Sequence, residues 1–162
     1  MKTLFVFLVV ALLTISACTQ ADKTATANKA LAQRFVEEVW NKGNLDVVDE
    51  LCAADYVRHN PNSWDPSVVE GAEAFKQLVS EVRTNYTDFH VTLEDIVVEG
   101  DMVATRWTAT GAQKETNKQI TFNGIGLTRT TEGKMVEEWI SWDTYNVMQQ
   151  LGMVAEPETT MK

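Results

Sequence analysis

The chain has 162 residues, a formal net charge of −9 at pH 7 and 44% hydrophobic residues. This length suits one domain with a proper core. A surface this acidic repels phosphate backbones and anionic lipid headgroups, which argues against nucleic acid as a partner and against a basic membrane-binding face.

The first 17 residues have the order of a secretory signal. A short basic start, Met1 to Thr3, precedes the apolar run Leu4 to Leu13, which is too short to span a bilayer. The run closes with ISAC, which resembles a bacterial lipobox, in which cleavage precedes the cysteine and a lipid is attached to its sulfur. The alternative is an ordinary signal peptide with a cysteine nearby by chance. We expect export and lipid anchoring at Cys18, with the protein on the outer membrane facing the periplasm.

The rest of the chain is expected to form one domain with polar ends. Residues 18–28 are small and polar and predict a flexible tether, and residues 153–162 predict a C-terminal tail. The domain then spans residues 29–152. Its cysteine, Cys52, lies in the context ELCAAD, which favours a buried, inert thiol.

Helices come first in the predicted fold. Apolar residues recur at four-residue spacing from Leu31 to Val39, which predicts an amphipathic helix over about 26–41. A short helix follows at Leu45 to Leu51, Tyr56 and Val57 are strand-like, and a third helix is predicted over about 68–85.

The second half has the pattern of a sheet. Segments rich in Val, Ile and Thr predict four strands, at Phe89 to Val98, Val103 to Thr110, Ile120 to Arg129 and Lys134 to Trp142. A last short helix follows. Helices segregated to one side of an antiparallel sheet define an α+β fold. We predict a curved antiparallel sheet of four to six strands, wrapped by the N-terminal helices into a cone with an internal pocket.

Two details of the strands stay open from the sequence. Gly124 and Gly126 lie inside a strand pattern, where glycine marks a bulge or a close approach, or simply relieves crowding. On the last strand one face carries Trp139 and Asp143 and the other carries Glu138 and Trp142, so neither face is cleanly apolar. The face that lines the pocket is therefore not decided by the pattern.

Few side chains have the character of a reactive site. Asp143 is placed either to cap the last helix or to act as an acid beside two tryptophans, where loss of water favours proton transfer. His59 and Asn60 would either bind a ligand carbonyl or satisfy the backbone of a turn, and Arg106 would hold an anion or pair with an acid. The chain has two histidines and no dinucleotide or phosphate-binding motif, so no metal or cofactor is predicted.

Three stretches carry a family resemblance: NKGNLDVVDELCAADYVRHNP, VTLEDIVVEGDMVATRWTATG and ITFNGIGLTRTTEGKMVEEWISWDTYNVMQQLG. In order and spacing they are similar to the SnoaL-like polyketide cyclase (ester cyclase) family, over about residues 28–152. The resemblance implies the cone-shaped α+β fold also found in nuclear transport factor, steroid delta-isomerase, scytalone dehydratase and limonene epoxide hydrolase.

The resemblance also implies a site. Characterised members close a ring by aldol condensation without metal or cofactor, using an aspartate that matches Asp143. Positions like His59, Asn60, Arg106, Phe122 and Trp139 would line the pocket. The epoxide hydrolase uses an arginine and an aspartate two residues apart on one strand. Here the residue two positions after Arg106 is Thr108, which argues against the epoxide hydrolase reaction. An exported, lipid-anchored chain also does not fit the cytoplasmic substrate of polyketide cyclases.

Two functions follow as hypotheses. The first is a cofactor-independent cyclase, isomerase or lyase that acts on a small hydrophobic carbonyl compound by aspartate acid/base catalysis. The second is a noncatalytic lipoprotein that carries a small hydrophobic ligand in the same pocket. In either case relatives of this shape suggest a homodimer formed through the sheet face.

Overall fold

The computed structural model describes residues 22–60 and 67–154. The predicted signal, the lipobox and Cys18 lie outside these residues, as does nearly all of the predicted tail.

Helices pack on one side of a single sheet. Residues 22–34 form α1, which continues as a π-helix over Phe35–Asn41; a 3-10 turn at Leu45–Val47 leads into α2 (Val48–Leu51), α3 spans Ala72–Asn85 and α4 spans Thr144–Leu151. The strands are β1 (Cys52–His59), β2 (Val68–Glu70), β3 (Tyr86–Glu99), β4 (Met102–Gln113), β5 (Gln119–Thr131) and β6 (Lys134–Trp142).

The six strands form one curved, open sheet in the order β2-β1-β6-β5-β4-β3. Neighbouring strands run antiparallel, except that β1 runs parallel to β6. The predicted α+β class and cone fold are confirmed. The sequence pattern indicates only two residues of β1 and does not indicate β2. Apolar and polar residues alternate little along β1, and β2 is only three residues long.

The first helix differs from the prediction at its start. Residues 22–28 lie within the predicted tether and are α-helical, so the helix expected to begin at about residue 26 already includes residue 22. The buried Asn28 side chain donates from Nδ2 to the carbonyl oxygen of Gly100 at 3.1 Å. That hydrogen bond joins α1 to the turn between β3 and β4.

Aromatic packing joins the helices to the sheet. The Phe75 ring of α3 is fully buried and contacts the rings of Phe35, Trp40 and Tyr56, with centroid distances of 5.2 to 5.8 Å. A second, smaller apolar cluster lies under α4 and includes Ile120, Val147 and Leu151. The pocket lies between these two clusters.

The two strand glycines are not bulges. The pairing of β5 with β4 and β6 runs without a shift through Gly124 and Gly126. A Cβ atom at Gly124 would overlap the indole ring of Trp107 and lie 2.7 Å from the carbonyl oxygen of Ser141. Glycine is needed there because the Trp107 ring lies directly over the strand.

Candidate functional site

A cavity of about 770 Å³ lies between the helices and the inner face of the sheet. Its walls are mainly apolar and include the rings of Trp40, Phe89, Trp107, Phe122 and Trp142. Phe122 contacts both neighbouring rings, with centroids 5.8 Å from Trp107 and 5.0 Å from Trp142. A cavity of this size and lining suits a small apolar molecule.

The mouth of the cavity lies at one end of the cone. Exposed residues that line the cavity mark the opening, and they come from the end of α3, the segment after β4 and the segment after α4: Glu81, Thr84, Asn85, Lys114, Glu115 and Met153. The backbone amide of Lys114 donates to the carbonyl oxygen of Asn85 at 2.8 Å, so two sides of the rim are joined.

Strand alternation decides which side chains enter the cavity. On β6 the inner face carries Glu138, Ile140 and Trp142, and on β4 it carries Thr105, Trp107 and Ala109. The face of β6 that carries Trp139 is therefore the outer face.

One carboxylate is buried inside the cavity wall. Glu138 is 6% exposed and is the only buried acid among the described residues. Its Oε2 accepts hydrogen bonds from the Tyr56 hydroxyl at 2.7 Å and from Nη1 of Arg58. Its Oε1 has a long contact of 3.5 Å with the Thr128 hydroxyl. One oxygen is thus held firmly and the other is weakly engaged.

The partners of Glu138 keep their protons. Burial, together with the charge of Glu138, raises the pKa of Tyr56 well above 10, so its hydroxyl remains a donor. Burial alone would lower the pKa of Arg58, but the charge of Glu138 raises it overall. The Arg58 guanidinium also lies 5.3 Å from the Trp40 ring centroid and 5.7 Å from that of Phe75. A buried ion pair therefore lies against aromatic walls.

A second polar pair lies nearer the end of β1. Asn60 is 7% exposed, and its Oδ1 accepts a hydrogen bond from Nε1 of Trp142 at 3.0 Å. Its backbone amide donates to the carbonyl oxygen of Ser67 at 2.7 Å. Since Oδ1 is engaged, Nδ2 is the group that Asn60 offers a ligand.

Of the predicted pocket residues, Asn60 and Phe122 line this cavity. His59, Arg106 and Trp139 do not line it, because strand alternation turns all three to the outer face. There Nε2 of His59 lies 3.0 Å from Glu137, its ring stacks on Trp139, and Arg106 pairs with Asp95 at 2.7 Å.

Asp143 follows the last residue of β6 and is exposed. Its Oδ1 accepts a hydrogen bond from the backbone amide of Asn146 at 3.0 Å, as an N-cap of α4 does. It does not line the cavity. The cap is therefore observed, while the catalytic role of Asp143 stays a prediction that its position does not support.

The sequence reasoning missed Tyr56, Arg58 and Glu138. One signal was present: Glu138 shares a strand face with Ile140 and Trp142, and a carboxylate on an apolar face requires a partner. The partner comes from β1, about 80 residues earlier in the chain. Nothing in the local pattern identifies it.

Within the described ranges 22–60 and 67–154, no group of three or more His, Cys, Asp or Glu side chains could hold a metal ion. In the same ranges no helix has both the length and the apolar character needed to cross a membrane.

A curved α+β cone with an open-mouthed, aromatic-lined cavity and a buried carboxylate in its wall defines a class of small-molecule pocket proteins. Residues 30–151 match the family model described as SnoaL-like polyketide cyclase. The chain belongs to this family. Membership suggests a cofactor-independent cyclase or isomerase activity.

Solved structures agree with this assignment. The chain is similar to a candidate polyketide cyclase from Bacillus cereus, with 29% identity, a TM-score of 0.67 and coverage of 77% of this chain and 80% of the other. It is similar to IdmH, a candidate polyketide cyclase from Streptomyces antibioticus, with 26% identity, a TM-score of 0.68 and coverage of 76% and 97%. TsrD from Streptomyces laurentii, at 22% identity, shares the fold with a TM-score of 0.71 and coverage of 80% and 97%. The comparison with curated proteins found no match.

Proposed function

We propose that the protein is a cofactor-independent cyclase, isomerase or lyase that acts on a small apolar carbonyl compound, with Glu138 as its acid/base group. The observation that carries the proposal is the buried carboxylate of Glu138, held by Oε2 and weakly engaged at Oε1, in the wall of an apolar cavity. A carboxylate placed in this way can exchange a proton with a bound ligand.

The second group of the proposed site is Asn60. Arg58 lies opposite Glu138 in the β1–β6 pairing, and Asn60 is two residues further along the chain, or about 7 Å at the rise of a strand. A carbonyl oxygen that accepts a hydrogen bond from Asn60 Nδ2 would leave the adjacent carbon within reach of Glu138. Both groups line the same cavity.

The chemistry follows from these two contacts. Glu138 takes a proton from the carbon next to the carbonyl, and the electron pair of the broken C–H bond moves onto the carbonyl oxygen, forming an enolate. The Asn60 amide stabilises the developing charge on that oxygen. Glu138 then returns the proton, to another carbon in an isomerisation or to the new alkoxide in a ring closure. The reaction needs no external oxidant or reductant.

The proposal extends to location. The lipobox at ISAC supports export and attachment of a lipid at Cys18, on the outer membrane facing the periplasm. We expect Cys18→Ser to leave the protein unprocessed or in the soluble fraction. Unchanged membrane fractionation would contradict the anchor.

A noncatalytic ligand carrier is the alternative. The pairing of Glu138 with both Tyr56 and Arg58 favours it, since a buried carboxylate bonded to two such partners can serve the fold alone. A carrier needs the apolar walls but no proton transfer.

Deuterium exchange separates the two functions. The purified protein is incubated with β-tetralone in deuterated buffer, and deuterium incorporation next to the carbonyl is followed by mass spectrometry. We expect native protein to accelerate exchange and Glu138→Gln to lose at least a hundredfold of that acceleration, as is typical for removal of a general base.

Glu137→Gln is the matched control, because Glu137 is the adjacent residue but faces outward, against His59 and Arg129. It should exchange at the native rate. If native protein binds β-tetralone without accelerating exchange, the carrier function replaces the enzymatic one.

A further inference from the structure

Arg58 lines the cavity and is the only buried cation in the part of the chain that the structure describes. The hydrogen bond of its guanidinium leaves from Nη1 and goes to Glu138. Nε is buried and has no hydrogen-bond partner. A guanidinium is planar and rigid, so the direction of its Nε hydrogen is fixed by the position of the group, unlike that of a hydroxyl hydrogen.

A buried charged donor without an acceptor requires an explanation, such as a catalytic role or a bound ion. Arg58 is bonded to Glu138 through one nitrogen, so the edge that carries Nε can turn toward a ligand while the ion pair is kept. Asn60 is the next residue on the same face of β1 and offers its Nδ2 to the same cavity. An oxygen between these two residues could accept from both.

The proposed reaction moves one negative charge within this wall. Before proton transfer, the charges of Arg58 and Glu138 sum to zero. When Glu138 takes the proton from carbon it becomes neutral, and the electron pair of the C–H bond places the negative charge on the ligand oxygen, so the sum stays zero. Arg58 keeps its proton throughout, since its pKa is raised by the charge of Glu138. The new anion therefore forms when Arg58 loses its first partner.

We propose that Arg58 is a catalytic residue that pairs with Glu138 in the free protein and donates from its Nε edge to the ligand oxygen once Glu138 is protonated. This inference rests on the proposed function and adds a charged donor to the neutral amide of Asn60. Charge-assisted hydrogen bonds are roughly twice as strong as neutral ones, so the enolate gains more than the carbonyl does. The cavity then also binds aromatic hydroxyl compounds, whose anions resemble the enolate.

The ordinary explanation for Arg58 is structural. Its guanidinium lies 5.3 Å from the Trp40 ring centroid and 5.7 Å from that of Phe75, and the aromatic rings alone could compensate for the missing acceptor. Under that explanation Arg58 only neutralises Glu138, and no ligand oxygen receives a hydrogen bond from it.

The test uses 2-naphthol, the aromatic counterpart of the enol of β-tetralone, because its protonated and ionised forms differ in absorbance and fluorescence. Glu138→Gln gives residue 138 the neutral charge of the protonated acid. We expect 2-naphthol bound to this variant to ionise about one pH unit or more below the free compound, a tenfold preference for the anion. Adding Arg58→Met to Glu138→Gln should abolish the downward shift.

Arg129→Met, added to Glu138→Gln, is the matched control, because the Arg129 guanidinium also lies over an aromatic ring, that of Trp139, but on the outer face. It should keep the downward shift. The proposal is overturned if 2-naphthol does not bind to Glu138→Gln, if it ionises there at or above the pH of the free compound, or if the shift survives Arg58→Met.

Glu138→Gln may be compared with and without the probe when it is unstable, because a ligand that binds only the folded state stabilises it. If the variant is unfolded on its own, thermal denaturation is followed with 2-naphthol present. The anion takes the place of the missing carboxylate beside Arg58, so we expect the folded state to be restored. Absence of recovery also overturns the proposal.

These outcomes are separate from that of the exchange assay. Ionisation of bound 2-naphthol needs no turnover, so a protein without exchange activity could show it. An enzyme that exchanges deuterium but leaves 2-naphthol protonated would keep its proposed function and lose only the catalytic role of Arg58.

Discussion

Two acids near the end of β6 face different surroundings. Glu138 is buried and receives two firm hydrogen bonds from β1, whereas Asp143 is exposed and binds the first turn of α4. Proximity to the same tryptophans therefore does not give them the same role. Burial with partners favours Glu138 for chemistry, and the N-cap geometry favours Asp143 for stability.

Replacing Asp143 tests that division. Asp143→Ala removes the acceptor for the Asn146 amide, and we expect a loss of about 1 kcal/mol in the free energy of unfolding, as for other N-cap residues. Urea denaturation measures the loss. Deuterium exchange of β-tetralone should stay at the native rate; a loss as large as that of Glu138→Gln would restore Asp143 as the catalytic acid.

Two buried groups with raised pKa values, the Cys52 thiol and the Tyr56 hydroxyl, make the folded protein less stable at alkaline pH. Burial, assisted by the charge of Glu138, raises the pKa of the Cys52 thiol from 9.0 to about 12. The unfolded thiol therefore loses its proton above pH 9 while the folded one keeps it until about pH 12. The unfolded state then binds fewer protons, so the free energy of unfolding falls with rising pH in this window.

Urea denaturation at several pH values between 9 and 12 measures this loss of stability. The free energy of unfolding of Cys52→Ala should fall less steeply with pH than that of native protein, by up to about 1.4 kcal/mol per pH unit. Tyr56, whose pKa is also raised, contributes in the same direction in both proteins. Identical slopes would show that Cys52 does not titrate differently in the two states.

At the level of elements, side chains hold the end of the π-helix in addition to its own backbone hydrogen bonds. Asn41 donates from Nδ2 to the carbonyl oxygen of Val91 at 3.0 Å and accepts from the Val91 amide at 2.8 Å, as a neighbouring strand would. Nη1 of Arg83 donates to the carbonyl oxygens of Trp40 and Asn41. These bonds fix the helix end that carries Trp40 into the cavity wall.

We expect Asn41→Ala to cost about 2 kcal/mol of stability, since two hydrogen bonds to partly buried backbone are lost. The affinity for β-tetralone should also fall, because Trp40 loses its fixed position. Asn44→Ala is the control, as its side chain makes only a 3.4 Å contact with Glu38 at the surface. Equal effects of the two substitutions in denaturation and calorimetry would contradict this account.

The order of elements was predictable because the apolar periodicity is strong. The predicted bounds of β6 agree with the structure, and those of β3, β4 and β5 fall short by one to three residues at each end. The inward face was not predictable, because the inner side carries Glu138 and the outer side carries Trp139. Burial of that glutamate depends on Tyr56 and Arg58, whose contact is long-range and leaves no local pattern.

At the scale of the molecule, one row of side chains crosses the outer face of all six strands. This outer row consists of Val97, Ala104, Leu127, Trp139, His59 and Val68, each paired with the next. Val97 is 66% exposed, and Ile125 beside the row is 61% exposed. Exposed apolar side chains in such a row favour association, and we propose a homodimer through this face.

Light scattering after size exclusion tests the dimer. Native protein should have twice the mass of one chain, and Leu127→Lys, at the centre of the outer row, should shift it toward the monomer. Tyr145→Lys is the control, because Tyr145 is exposed on α4, whose buried residues pack on the inner face of the sheet. A native monomer, or a dimer unaffected by Leu127→Lys, would contradict the proposal.

The hydrogen bond from Asn28 to Gly100 also bears on how molecules reach the cavity. It places Asn28, the seventh residue described in α1, at the β3–β4 turn, whereas the mouth lies at the other end of β3, a strand of 14 residues that spans about 45 Å. A chain held to a bilayer through Cys18 would be attached at the end away from its opening. The cavity would then be filled from the water of the compartment, and its ligand would be a dissolved compound rather than one drawn from the lipid.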